Sequence, residues 1–140
     1  MASDLDVQSV YPTTTATILL LEDEKPLRQV MLEFLTGRGY HVLQAGRGDD
    51  AIDLAEQFTG SISLIISDIV LPDMKGPSLV TKIQALHPEA NVLYVTGYAE
   101  APLVQQLVSQ GAVLMQKPVS GRELLKKVNE MLRLGGSLGS

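Results

Sequence analysis

Short apolar runs bounded by polar turns alternate along this chain with longer segments in which apolar residues recur every three or four positions. Ile18-Leu19-Leu20-Leu21 is too brief for a helix and is followed by acids, which predicts a buried strand. Pro26 stands where the first turn of a helix tolerates it, and Leu27, Val30, Met31, Phe34 and Leu35 follow at helical spacing until Gly37 and Gly39 stop the run. The unit then repeats. Residues 40–45 predict a second strand, and Ala51, Leu54, Ala55 and Phe58 mark one face of a second helix. Leu64-Ile65-Ile66-Ser67-Asp68 predicts a third strand, with Leu79, Ile83 and Leu86 on a third helix that begins near Pro77. Residues 91–96 form the fourth strand of the pattern, and Leu103, Val104, Leu107 and Val108 the face of a fourth helix closed by Gly111. Residues 112–116 are the fifth strand. Ser120 and Glu123 have capping-box spacing ahead of a last helix carrying Leu124, Val128, Met131 and Leu132.

Near-continuous apolar strands imply burial on both faces, hence a parallel sheet with helices on each side. Right-handed crossovers leave few topologies for such a chain. The pattern predicts an α/β, flavodoxin-like (βα)5 three-layer sandwich whose five-stranded parallel sheet runs in the order 2-1-3-4-5. In that arrangement the ligand crevice lies outside the carboxyl ends of strands 1 and 3. The domain is expected over residues 17–134, after a polar linker at residues 1–16 and before a flexible Gly/Ser tail at residues 135–140.

Composition narrows the function. With 140 residues, 45% hydrophobic and 19% charged, the chain suits one domain with a real core and is not compositionally disordered. A net charge of −5 argues against direct nucleic-acid binding, which needs clustered positive charge. The absence of cysteine excludes disulfides, thiolate chemistry and the usual structural zinc sites. His41 and His87 are far apart in sequence and read as structural or solvated rather than as ligands. Every apolar stretch is too short to span a bilayer, and no charged-then-apolar leader opens the chain, so a cytoplasmic location is expected.

The strand ends carry the candidate chemistry. Strand 1 closes in Glu22-Asp23-Glu24 and strand 3 in Asp68, so neighbouring strands 1 and 3 bring several carboxylates into one crevice. Such a cluster takes up protons or recruits a cation, and an all-oxygen set suits a hard cation such as Mg²⁺. Strand 4 closes in Thr96-Gly97 and strand 5 in Lys117-Pro118, adding a hydroxyl and an ammonium at the same rim. Singly, each is an ordinary solvated loop residue. Together they describe a site for metal-assisted phosphoryl chemistry.

In this order and spacing the motifs resemble the receiver domain of two-component response regulators, over Thr17 to about Leu134. Ile18-Leu19-Leu20-Leu21-Glu22-Asp23-Glu24 is similar to the family's first strand with its acidic pair. Asp68-Ile69-Val70-Leu71-Pro72-Asp73-Met74-Lys75-Gly76 resembles the segment around the phosphoacceptor. Val95-Thr96-Gly97 resembles the switch position, and Lys117-Pro118 the lysine and the proline whose preceding peptide bond is cis in the family. The resemblance implies that Asp68 takes a phosphoryl group from a phosphohistidine on a histidine kinase or a histidine phosphotransfer domain. It implies Mg²⁺ ligation by Asp23, Asp68 and the Val70 carbonyl, with Glu22 acting through water. Lys117 would neutralise Asp68 and then hold a phosphoryl oxygen, while Thr96 would move to bond another. Such a chain modifies itself and is not otherwise an enzyme.

Two features depart from the family's commonest pattern. The acidic pair is Glu-Asp, and the position often filled by Tyr or Phe on strand 5 is Leu114, which puts the usual aromatic coupling in doubt. The resemblance also implies that water reaches the phosphorus past Val70 and Tyr98, and neither offers a carboxylate or amide to orient it. A flavodoxin-like FMN protein and an aspartyl-nucleophile phosphatase share parts of the pattern. The former wants a Ser/Thr/Gly-rich phosphate loop where Glu22-Asp23-Glu24 stands, and the latter a second Asp where Val70 stands. The polar segment before strand 1 and the close of the chain soon after its last helix suggest the receiver of a hybrid sensor histidine kinase, with a stand-alone regulator as the alternative.

Overall fold

A computed structural model describes residues 16–97 and 101–139, with side chains through Arg133. Its strands are β1 (Thr17–Leu21), β2 (His41–Ala45), β3 (Leu64–Asp68), β4 (Asn91–Thr96) and β5 (Val113–Gln116). Between and after them run α1 (Lys25–Gly37), α2 (Gly48–Gln57), α3 (Gly76–Leu86), α4 (Pro102–Ser109) and α5 (Gly121–Gly139). All strands pair in parallel in the order β2-β1-β3-β4-β5. This is the expected α/β sandwich.

Alternation along β1 divides the core into two layers. Leu19 and Leu21 face the side covered by α2, α3 and α4, against Ala51, Ala55, Leu79, Ile83 and Val104. Ile18 and Leu20 face the other side, where α1 and α5 bring Met31, Leu35, Leu124 and Val128. Each fully buried Leu or Ile contributes about 1.5–3 kcal/mol by leaving water. That burial holds the strand ends, and hence the crevice, in fixed register.

Four apolar residues of the helical pattern are not core. Val30 and Phe34 of α1, Leu86 of α3 and Val108 of α4 are exposed large hydrophobics. On α1, Met31 and Leu35 already fill the one ridge that meets the sheet. Val30 and Phe34 lie one row round the helix, so helical spacing alone draws too wide a stripe.

The last helix also differs from expectation, since α5 continues through Gly139 where the sequence pattern places a Gly/Ser tail. Extending a formed helix needs no new nucleus, and no proline interrupts residues 121–139, although each glycine there weakens it by about 1 kcal/mol against alanine. Ser120 caps this helix as the sequence predicts, with the Glu123 N–H donating to its Oγ at 3.1 Å. Residues 1–15 of the expected linker lie outside the described residues, as does Tyr98. Among the described residues no helix is long and apolar enough to cross a membrane.

Candidate functional site

The parallel register fixes what meets at the carboxyl edge of the sheet. Leu21 of β1 lies opposite Ser67 of β3, so the next residues in each chain, Glu22 and Asp68, emerge side by side. Asp68 pairs with Val95 of β4, and Thr96 pairs with Gln116 of β5. Two backbone bonds carry the ladder past the strand ends. The Glu22 N–H donates to Ala45 O at 3.1 Å, and the Lys117 N–H donates to Thr96 O at 2.8 Å. Sheet geometry therefore delivers Glu22, Asp68, Thr96 and Lys117 to one rim with little loop freedom. The peptide bond between Lys117 and Pro118 is cis, as the resemblance implies.

Lys117 ties the acids together. Its Nζ lies 2.8 Å from Asp68 Oδ2, 3.0 Å from Glu22 Oε1 and 3.3 Å from Glu24 Oε1. Glu22 is almost wholly buried, at 1% side-chain exposure, and its Oε2 also accepts the Glu24 N–H at 3.0 Å. Burial pushes the Glu22 carboxyl above its ordinary value and the Asp68 charge adds to that, against the bonds from Glu24 N–H and Lys117. For Lys117 burial alone would lower the ammonium. Its hydrogen bonds to Asp68 and Glu22, with their charges, outweigh that and hold it well above the ordinary value.

Glu22, Asp23 and Asp68 each offer a carboxylate oxygen within 4.8 Å of the others. Two of the three are buried and Asp23 is exposed. An all-carboxylate set, part buried and part open to water, fits a hard divalent cation that keeps several waters. Val70 stands two residues beyond Asp68 in a compact loop, where it bridges Lys75 and leaves its side chain exposed. Gly76 closes that loop, and a Cβ there would collide with the Asp68 carbonyl oxygen. Glycine at this position lets the loop return to the strand end.

Thr96 is buried at the end of β4. Gly97 beside it has no positive φ, and open space surrounds the place where its Cβ would stand. Leu114 on β5 is half-buried against the layer that holds Tyr94 and Val104. His87 is a core residue, its Nε2–H donating to Ala55 O at 2.7 Å. His41 approaches Thr17 Oγ1 at 3.3 Å, and both imidazoles lie at the opposite edge of the sheet from the acids.

Three contacts have no counterpart in the sequence analysis. Glu24 reaches Lys117, Arg28 donates to Glu22 O at 2.6 Å, and Asp73 accepts from the Gly48 and Asp49 N–H groups. The Arg28 contact follows from its place one turn into α1. The Asp73 contact spans 25 positions of sequence, and no local pattern encodes it.

Known proteins place this site in context. The family model of the response regulator receiver domain matches residues 18–129. The sensor kinase CckA of Brucella abortus is 35% identical over 119 residues, a match covering 84% of this chain and 13% of that protein. The response regulator receiver protein CpdR of the same organism is 29% identical over 116 residues, covering 82% of this chain and 95% of CpdR. Among solved structures, the receiver domain of the hybrid histidine kinase CckA superposes with a TM-score of 0.72 at 33% identity. That superposition covers 84% of this chain and 99% of that domain. The chain thus spans a small part of one relative and nearly all of another.

Proposed function

The chain belongs to the response regulator receiver domain family of two-component signalling, and from that premise we propose that Asp68 is its phosphoacceptor. The observation that carries this reading is the 2.8 Å contact between Lys117 Nζ and Asp68 Oδ2 at the rim of an acidic crevice. An oxygen of Asp68 attacks the phosphorus of a phosphohistidine in line. A P–O bond forms as the P–N bond breaks, and the imidazole nitrogen of the donor leaves with the bonding pair. Lys117 offsets the charge of Asp68 as the phosphoryl group approaches and then donates to one of its oxygens. The Thr96 hydroxyl donates to another. Asp23, Asp68 and the Val70 carbonyl would hold Mg²⁺, with Glu22 acting through water, and the bound ion offsets negative charge on the transferring group.

The partner is a histidine kinase or a histidine phosphotransfer domain. Val30 and Phe34 expose apolar surface on α1, the helix that follows the acidic loop, which suits docking of such a partner. We read the chain as a module of a hybrid sensor histidine kinase, supported by its likeness to the CckA receiver. A stand-alone regulator is the second reading, favoured by the match over nearly all of CpdR. Val70 and Tyr98 would slow water attack on the phosphoryl group, so Val70→Asn or Tyr98→Glu should shorten the lifetime of the modified chain. Equal decay in all three proteins would refute that role. Transfer itself is tested with a ³²P-labelled histidine phosphotransfer domain in Mg²⁺. Label should pass to the wild-type chain and not to Asp68→Asn, whereas equal labelling of both would rule out Asp68.

A further inference from the structure

The loop between β3 and α3 is anchored to a helix that has no part in the chemistry just described. Asp73 stands at its tip, and its Oδ1 accepts the Gly48 N–H at 2.7 Å while Oδ2 accepts the Asp49 N–H at 3.0 Å. These are first-turn amides of α2, which have no partner within their own helix. Arg47 Nη2 lies 3.8 Å from the same carboxylate, and no side chain of α2 or its N-cap performs the capping. Met74 covers the same helix end, since a Cβ on Gly48 would stand 2.5 Å from Met74 Cγ. The helix start and the loop tip therefore fit as one unit.

The loop is stiff between that anchor and the phosphoacceptor. The Leu71 N–H donates to Met74 O at 3.0 Å, Val70 bridges Lys75, and the Gly76 N–H donates to Ile69 O at 2.6 Å. Leu71 is buried at 5% exposure, which pins the middle of the loop to the core. A displacement at Asp73 is thus passed to the backbone of Val70 rather than absorbed on the way.

We infer that Asp73 is a positioning residue for the phosphoacceptor site, its double bond to the start of α2 holding the Val70 carbonyl where a divalent cation needs it. This rests on the reading of Glu22, Asp23, Asp68 and Val70 as the cation site. The Gly48 bond, and with it the Asp49 bond and Arg47, holds the Asp73 carboxyl below its ordinary value, so the clamp is charged at neutral pH. Charge makes both bonds stronger than neutral ones.

The test is Mg²⁺ affinity, read by NMR titration on the whole chain for wild type, Asp73→Ala, Asp73→Asn and Val128→Ala. Val128 is fully buried in the opposite layer, so its truncation lowers stability without touching the loop. Asp73→Ala should weaken Mg²⁺ by three- to tenfold, and Asp73→Asn, which keeps one acceptor oxygen, should fall between it and wild type. Val128→Ala should bind as wild type does despite a lower melting temperature. Unchanged affinity in Asp73→Ala overturns the inference, as does an equal loss in Val128→Ala, which would make the effect one of general stability. A wild-type chain that binds no Mg²⁺ defeats the cation site itself, and the inference with it.

Discussion

Among the described residues Lys117 is the one cation that Glu22, Glu24 and Asp68 share, so its removal leaves the buried Glu22 carboxylate with the Glu24 N–H alone. Breaking a fully buried pair costs about 3–5 kcal/mol, and the partial exposure of Lys117 brings Lys117→Met below that range, to about 2–3 kcal/mol in EDTA. Adding Glu22→Gln should restore part of that loss in urea unfolding, and strictly additive effects would contradict the coupling. Asp73 has the opposite electrostatic sense to Glu22. Its lowered carboxyl contributes stability that is present above its ordinary value of 3.8 and is lost as pH falls through its folded value. Glu22, raised from 4.5, contributes stability present below that value and lost as pH rises. Asp73→Asn should therefore flatten the acid limb of a stability–pH curve below about pH 4, and Glu22→Gln should raise stability at neutral pH. An acid limb unchanged in Asp73→Asn would mean that the cap carries no charge. The residues that sequence reading could find were those that end strands, because a parallel sheet assigns strand ends to one rim. Asp73 escaped it because it stands in a loop and its partners begin a helix, so no strand end brings them together.

At the scale of elements, the tight return from Asp68 to α3 depends on Gly76. A methyl group there meets the Asp68 carbonyl and lies 3.1 Å from Ile69 Cα, both backbone atoms that cannot rotate aside. Gly76→Ala should cost about 1–3 kcal/mol as an overpacked site and slow phosphorylation by moving Val70. Wild-type rates in a folded Gly76→Ala chain would show that the loop position is not critical. On β5 the argument runs the other way. Leu114 is half-buried, so Leu114→Ala should lose about 2 kcal/mol, at the bottom of the range for a buried leucine. Without an aromatic ring there, beryllofluoride should shift amide signals chiefly from Thr96 to Val104. Shifts centred on Leu114 would show that strand 5 carries the switch. The pattern of strands was legible because most buried β residues are apolar, with Thr17, Ser67, Asp68 and Thr96 as polar exceptions. Helix faces were legible only in part, since spacing marked Val30, Phe34, Leu86 and Val108 as core when the sheet had room for one ridge.

At the scale of the molecule, two apolar layers hold a sheet whose edge gathers like charges, so the core stabilises what the site destabilises. Topology was readable because alternating strands and helices with right-handed crossovers admit few orders, and the order β2-β1-β3-β4-β5 brings the acids of β1 and β3 together. Mg²⁺ binding to the folded chain alone should add about 2.7 kcal/mol at a hundred times its dissociation constant. Asp23→Asn should remove most of that gain in a calorimetric melt while leaving the fold intact, and an equal gain in both would exclude Asp23 as a ligand. The central claim is that Asp68 carries the phosphoryl group. It is tested most directly by treating the chain with acetyl phosphate and Mg²⁺, reducing with borohydride, and sequencing the peptides by mass spectrometry. The account predicts a single reduced aspartyl residue, at position 68. Reduction at Asp23 or Asp73 with Asp68 unmodified would contradict it.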